Sequence, residues 1–445
     1  MARFLIQNFG CRATQADGAA LGAMLNRDGH TEAESPAEAD LVILNTCTVT
    51  ANADSDARGA VRRAHRSNPD ARILVTGCYA QRAPEELANI PGVSWVVGNS
   101  HKIDIPRIVA LQVECHSPQV EHHSPRAEYH GEVILGDIGA QQECLSAPVL
   151  DGGHRTRPNL KIQDGCNNRC SFCIIPFVRG RSRSASGDEV VAQVASLAKR
   201  YREVVLSGIN LGRWGRDPGR PQRRLVHLIA RLLDETPVQR LRLSSVEPMD
   251  FSDDLMDLMA SSPRIAKHVH TPLQSGSDTV LKRMRRRYRA RHYAARLERA
   301  RRLMPDAGIG ADVMAGFPGE TDAEFEESRQ FIESMPFTYL HVFTYSERPG
   351  TPASTQAQVP VPVRKHRNQI LTELAAAKNL EFRRRFLGRR LSVVTLEQGM
   401  PALSDNYLPV DLAWRHHPNQ MLDVEIGGVT PKGLRERSPL PVLAP

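Results

Sequence analysis

The chain contains no apolar run approaching the roughly 18 residues that a membrane-spanning helix needs, so no span is expected. No cleavable leader is expected either: Met1-Ala2-Arg3-Phe4-Leu5-Ile6 reads as a strand, interrupted by Gly10 and Cys11. Eight cysteines in 445 residues are too few for a secreted scaffold built on disulfides. These absences point to a reducing cytoplasm, where thiolates stay available to a metal. The apolar fraction of 41% is ordinary for a folded protein, and the length exceeds what one hydrophobic core serves, so two or three domains are expected. A net charge of +8 spread over such a chain decides little.

What is present is a cysteine pattern. Cys166-Asn167-Asn168-Arg169-Cys170-Ser171-Phe172-Cys173 is a C-x3-C-x2-C run behind a short apolar segment. Three soft thiolates at this spacing suit three irons of a [4Fe–4S] cluster and leave the fourth iron open for another ligand. Three incidental buried cysteines are the weaker alternative. Redox or radical chemistry is the expectation.

Three further cysteines follow strand candidates. Phe4-Leu5-Ile6 precedes Cys11, Leu41-Val42-Ile43-Leu44 precedes Cys47, and Ile73-Leu74-Val75 precedes Cys78. With helical patterns at Ala19 to Leu25 and Ala57 to Ala64, and a fourth strand at Val93 to Val97, the first hundred residues read as a small parallel sheet flanked by helices. The carboxyl ends of parallel strands share one edge, where ligands are held, so the three cysteines converge if the strands are near neighbours. A second iron–sulfur site is the sharper reading, and buried structural cysteines the plainer one. Residues 113–157 change character and read as linker or irregular insertion, with one strand candidate at Glu132 to Leu135; Cys115 and Cys144 there lack metal-site spacing.

From residue 158 the β/α alternation resumes. Strand candidates at Leu160 to Gln163, Glu203 to Ser207, Val238 to Ser244, Val269 to Thr271, Ile309 to Met314 and Tyr339 to Phe343 fit a partial or complete β/α barrel ending near residue 378. Residues 379–445 alternate apolar and polar positions between turn residues, and a small antiparallel barrel is expected, with strands at Leu391 to Val394, Tyr407 to Val410 and Met421 to Ile426. Arginines cluster at Arg179, Arg181 and Arg183, beside the cysteine run, and again from Arg283 to Arg287 and on to Arg302. A polyanionic partner and a solvated helix face both fit the second cluster.

Together these motifs resemble those of radical S-adenosylmethionine methylthiotransferases over nearly the whole chain. The resemblance rests on Gly10-Cys11, Asn45-Thr46-Cys47, Gly77-Cys78 and the C-x3-C-x2-C run. Lys161 through Ser184, Asn45 to Thr50 and Ser207 to Gly212 resemble the branch acting on threonylcarbamoyladenosine in tRNA, rather than those acting on isopentenyladenosine or on a ribosomal-protein aspartate. Thr14 departs from the family, which commonly has asparagine there.

The resemblance implies an α/β multidomain enzyme: an open parallel sheet over residues 1–112, a radical domain over 158–378, and a TRAM-like RNA-binding barrel over 379–445. It implies two [4Fe–4S] clusters, held by Cys166, Cys170 and Cys173 and by Cys11, Cys47 and Cys78. S-adenosylmethionine is implied both as radical source and as methyl donor. The implied partners are a tRNA anticodon loop with N6-threonylcarbamoyladenosine at position 37 and a reductant such as flavodoxin or ferredoxin. Phe172, Gly208, Ser244, Glu247, Gly316 and Glu320 are the cofactor-contact candidates, and Arg179, Arg181, Arg183 and Tyr407 the RNA-contact candidates.

Overall fold

The computed structural model describes residues 1–114, 130–145, 156–219 and 221–438. Its first unit is a six-stranded parallel sheet: β1 (Arg3–Asn8), β2 (Thr31–Glu32), β3 (Leu41–Thr46), β4 (Arg72–Gly77), β5 (Val93–Gly98) and β6 (Glu132–Ile134), ordered β2-β1-β3-β4-β5-β6. The near-continuous apolar sequence of β3 matches burial on both faces. Val42 and Leu44 join one core while Leu41 and Ile43 join the other. β6 lies inside the stretch read as linker, so part of that stretch completes a sheet edge against β5. Cys115 lies outside the described residues, and burial pushes the thiol of Cys144 up to about 11.

The second unit begins with β7 (Asn159–Asp164), β8 (Arg183–Ser184), β9 (Glu203–Gly208) and β10 (Arg240–Leu243), ordered β10-β9-β7-β8. It continues with β11 (His268–His270), β12 (Gly308–Ala315) and β13 (Tyr339–Thr344). A parallel bridge between Leu241 and Ile265 joins the two sheets. Apart from the antiparallel edge strand β8, this is one run of parallel strands. Among the described residues β7 and β13 do not pair, so the barrel is partial and its inner face is open along one side. Outward side chains and the surrounding helices form the largest core.

The helix Val361–Arg384 runs through the boundary expected at residue 378 and leads into a closed barrel. Its strands are β14 (Arg390–Thr395), β15 (Pro401–Ser404), β16 (Pro409–Asp411), β17 (Met421–Val429) and β18 (Leu434–Glu436), in the closed order β14-β15-β16-β18-β17. The sequence reading did not include β15, which opens on Pro401, or β18, which follows Pro431-Lys432-Gly433.

The turn between β15 and β16 plugs the floor of the larger barrel. Arg242, fully buried, donates to the carbonyl oxygens of Ser404 (2.9 Å) and Asp405 (3.0 Å) and to both carboxylate oxygens of Glu203, at 2.7 and 3.0 Å. Gly308 stands where a Cβ would lie 2.2 Å from the carbonyl oxygen of Asn406. Tyr407 takes φ of +72°, a conformation uncommon outside glycine, and stacks on His268 at 4.3 Å.

Burial alone would raise the Glu203 carboxyl, but the charges of Arg242, Arg157 and Arg240 bring it down to about 2. A depressed carboxyl stabilises the fold in full above its ordinary value of 4.5, and the contribution is lost as pH falls below that. Arg242→Ala should therefore cost about 3–5 kcal/mol at neutral pH, read as a lower urea midpoint. The gap from the parent should narrow as pH drops below 4.5. A gap independent of pH would assign the loss to packing instead of charge.

Candidate active site between two cysteine clusters

The first triad forms at the carboxyl ends of β1, β3 and β4, which are adjacent strands. Gly10, at φ +106°, sits against Cys47: a Cβ there would lie 2.4 Å from the Cβ and 2.8 Å from the Sγ of Cys47. Gly77, at φ +101°, lets Cys78 begin a short helix; a Cβ there would meet the Thr46 backbone at 2.3 Å. Cys47 and Cys78 are buried and Cys11 is exposed, and all three are free thiols. Burial, followed by the nearness of Cys78 and Cys11, pushes the Cys47 thiol up to about 12. Burial and crowding make Cys47 a poor thiolate by itself, and a bound metal ion reverses that penalty. The Thr14 hydroxyl lies 3.5 Å from the Cys11 Sγ, so a polar contact survives where the family commonly has asparagine.

The second triad occupies the loop after β7. Gly165, at φ +68°, allows the chain to fold back: a Cβ would lie 2.0 Å from the Arg181 carbonyl oxygen, and the Cys166 amide donates to the Gly180 carbonyl at 3.1 Å. The middle of the loop is pinned by Ser171, whose amide and hydroxyl donate to the carbonyls of Met284 (3.1 Å) and Arg283 (2.8 Å). Burial and then Cys170 push the Cys173 thiol up to about 12. N–H donors approach the sulfurs: Asn168 N at 3.4 Å and Asn210 Nδ2 at 3.7 Å from Cys166, and an Arg286 N–H at 3.4 Å from Cys170.

A buried ionic network joins the triads. The Nε of Arg179 donates to the Cys78 Sγ at 3.2 Å, while its two terminal nitrogens reach Asp164 and Asp17, each at 3.0 Å. Asp17 also holds Lys102 (3.1 Å) and Lys161, and Asp164 holds Lys161 (2.9 Å) and Arg183 (3.1 Å). The RNA-contact expectation is thereby corrected for Arg179 and Arg183. Only 1% and 6% of their surfaces are exposed, and both are committed to carboxylates inside the protein. Tyr407 is corrected too, because it faces the barrel floor; Arg181 is exposed.

The cofactor-contact candidates divide. Phe172 lies edge-on to Phe317 at 6.3 Å, within the cysteine loop. Gly208 packs against Gln163, whose Oε1 accepts from the Asn210 amide at 2.6 Å. The Ser244 hydroxyl is buried without a hydrogen-bond partner, and Glu247 pairs with Arg286 beside Cys170. Gly316 and Glu320 turn away: Gly316 packs on Arg364, and buried Glu320 accepts from the Gly316 amide (2.8 Å) and pairs with Arg367 (2.8 Å). Both fasten their loop to the helix Val361–Arg384, which corrects their assignment to the cofactor rim. Sequence reasoning missed Asn210, Arg286 and Asn99, which donates to the Cys78 Sγ at 3.7 Å. The first two stood in stretches already marked as a strand-end loop and an arginine run.

Residues 3–98 match the family described as Uncharacterized protein family UPF0004, and residues 160–332 match the Radical SAM superfamily. A threonylcarbamoyladenosine tRNA methylthiotransferase MtaB of Aquifex aeolicus is 35% identical over 406 residues, covering 91% of this chain and 95% of that protein. Its namesake in Bacillus subtilis is 36% identical over 425 residues, covering 92% and 90%. The chain belongs to the tRNA methylthiotransferase family of radical S-adenosylmethionine enzymes. A tRNA-2-methylthio-N(6)-dimethylallyladenosine synthase of Desulforamulus reducens is 32% identical over 399 residues, covering 88% and 84%. Among solved structures, the radical S-adenosylmethionine methyltransferase TsrM of Kitasatospora setae shares the fold, with a TM-score of 0.54 at 15% identity over 80% of this chain and 77% of that one.

The donor sets fit the cofactors of this methylthiotransferase family. Each triad offers three soft sulfurs and, among the described residues, no fourth protein thiolate, suited to a [4Fe–4S] cluster with one open iron. Glu247, through Arg286, presents a polar group next to the C-x3-C-x2-C loop, and the buried Ser244 hydroxyl is free to bond; S-adenosylmethionine would be held on that side. The Gly10 contact yields a selective test. Gly10→Val should lower bound iron from about eight to about four per chain, because the triad at Cys47 closes while the other does not. Reductive cleavage of S-adenosylmethionine should persist. Loss of all iron would contradict independent sites.

Proposed function

We propose that this methylthiotransferase replaces the C2 hydrogen of N6-threonylcarbamoyladenosine, at position 37 of a tRNA anticodon loop, with a methylthio group. The observation that carries the proposal is the convergence of two cysteine triads, one from each of two units, tied through Arg179. One triad alone serves radical generation; a sulfur insertion needs the second. Two clusters and S-adenosylmethionine, when bound, supply a 5′-deoxyadenosyl radical and the sulfur and methyl of the product. The chain's own groups do the rest. The Asp17–Asp164 network holds the two triads at a fixed separation, and Asn210, Arg286 and Asn99 direct N–H groups at thiolate sulfurs.

RNA is taken as the polyanion because cations surround the cysteine loop. Arg181, Arg285 and Arg287 are exposed there, and the last two line a cavity with Asn168 and Cys170. On the terminal barrel the exposed aromatic is Trp414, at 61%, next to exposed Arg415. That pair supplies the stacking face and charge once assigned to Tyr407. A flavodoxin- or ferredoxin-like reductant and a cytoplasmic setting complete the reading; no helix among the described residues is long and apolar enough to cross a membrane.

Nucleoside mass spectrometry on tRNA from a deletion strain and its complement tests the activity. Loss of 2-methylthio-N6-threonylcarbamoyladenosine with accumulation of its unthiolated precursor, restored by the gene, is expected. Loss of the dimethylallyl counterpart instead would move the chain to the neighbouring branch. Trp414→Ala should weaken tRNA binding by about 1–3 kcal/mol while leaving iron content unchanged; unchanged binding would remove Trp414 from the RNA surface.

A further inference from the structure

The inner face of the partial barrel carries a polar belt that neither cysteine triad uses. His270 of β11, Asp312 of β12, and Tyr339, His341 and Phe343 of β13 point into the lumen. Their direction follows from the strand pattern: the alternating residues Val269, Ile309, Ala311, Val313, Leu340 and Val342 pack into the outer core. Asp312 stands directly opposite His341 in the ladder. Gly310 provides the room: a Cβ there would lie 1.9 Å from the ring of Tyr339, which covers the floor in its place.

The belt is open above and sealed below. His341 is 49% exposed and Phe343 48%, while His270 is 7% exposed. The Nδ1 of His270 shares a 2.7 Å hydrogen bond with the Ser245 hydroxyl, which leaves Nε2 without a hydrogen-bond partner. That nitrogen lies 3.5 Å from an Asp312 oxygen, and the same oxygen lies 3.2 Å from His341 Nδ1. Below them Arg12 donates to the Tyr407 hydroxyl at 3.2 Å. Arg12 follows Cys11 directly in the chain, so this edge of the floor adjoins the first triad. Burial, opposed by Asp312 and aided by His341 and Arg12, brings His270 down to about 4, so it is a neutral imidazole at physiological pH. A nine-tenths buried ring nitrogen without a hydrogen-bond partner, on the inner face of the barrel and beside a carboxylate, marks a site for a polar ligand.

We infer that Arg12, His270, Asp312 and His341 form the subsite that recognises the polar N6 substituent of the target adenosine. The inference rests on the threonylcarbamoyl reading above and deepens it. A threonylcarbamoyl group presents a carboxylate, a hydroxyl and ureido N–H groups. Arg12 and an imidazole N–H match the carboxylate, and Asp312 accepts from the hydroxyl or a ureido N–H. A dimethylallyl group offers none of these and would leave the buried Nε2 of His270 without a hydrogen-bond partner. Sites built to bind polar groups discriminate strongly against analogues that lack them.

The test uses the holoenzyme with anticodon stem-loop RNAs carrying threonylcarbamoyladenosine, dimethylallyladenosine or adenosine at position 37. His341→Leu should lower the kcat/KM preference for threonylcarbamoyl RNA by about tenfold or more, mainly through KM. Iron content and RNA-independent cofactor cleavage should stay at parent values, and His341→Gln should restore part of the preference. His341 is half-exposed, so its replacement spares the core; Asp312→Asn provides a second variant. A preference unchanged in both variants overturns the subsite while leaving the substrate reading intact. A parent enzyme that prefers dimethylallyl RNA overturns both.

Discussion

Arg179 is the side chain on which the arrangement of both cysteine triads depends. It is fully buried, and its three nitrogens are divided between a sulfur of one triad and two carboxylates, one from each unit. Burial opposes the charges of Asp17 and Asp164, yet Lys102, Lys161 and Arg179 hold Asp17 below its usual range, and Lys161, Arg179 and Arg183 do the same for Asp164. Four cations around two carboxylates leave positive charge in excess. The network sets a guanidinium N–H against the Cys78 sulfur while it clamps the two units together. Removing any one member would leave its partners charged and buried, which is far costlier than losing an exposed pair.

Much of this was legible in the sequence because covalent spacing and strand-end placement survive folding. The C-x3-C-x2-C loop needs no tertiary information, and the convergence of Cys11, Cys47 and Cys78 followed from three parallel strands. What was illegible was the partner of each charge. Arg179 and Arg183 read as surface cations because arginine usually is one, and nothing local shows that Asp17 lies 162 positions from its partner Arg179. Glu320 is similar: its loop matched the cofactor-facing pattern, but the charge satisfying it comes from Arg367 on a later helix. β15 and β18 were the other omissions, since the prolines and glycine beside them read as turns.

The polar belt shows why a fold shared across a family does not by itself fix what is modified. The strands supply outward apolar residues everywhere, and that alternation leaves the inward positions free to carry any chemistry. Here β11, β12 and β13 place imidazoles, a carboxylate and a phenol in register, with a glycine where a ring must lie flat. Relatives named for a threonylcarbamoyl and for a dimethylallyl substrate are similarly distant from this chain overall, at 32–36% identity.

The turn that plugs the barrel floor has a mechanical consequence. Had the terminal barrel hung from the helix Val361–Arg384 alone, it would swing, and the reach of its grip would be a distribution. Buried Arg242, the missing side chain at Gly308 and the strained backbone of Tyr407 fasten it to the floor instead. The distance from the surface of that barrel to the lumen is therefore fixed in the manner of a ruler. For an RNA held on that surface, as proposed above, only a nucleotide at the matching place along the strand would reach the lumen.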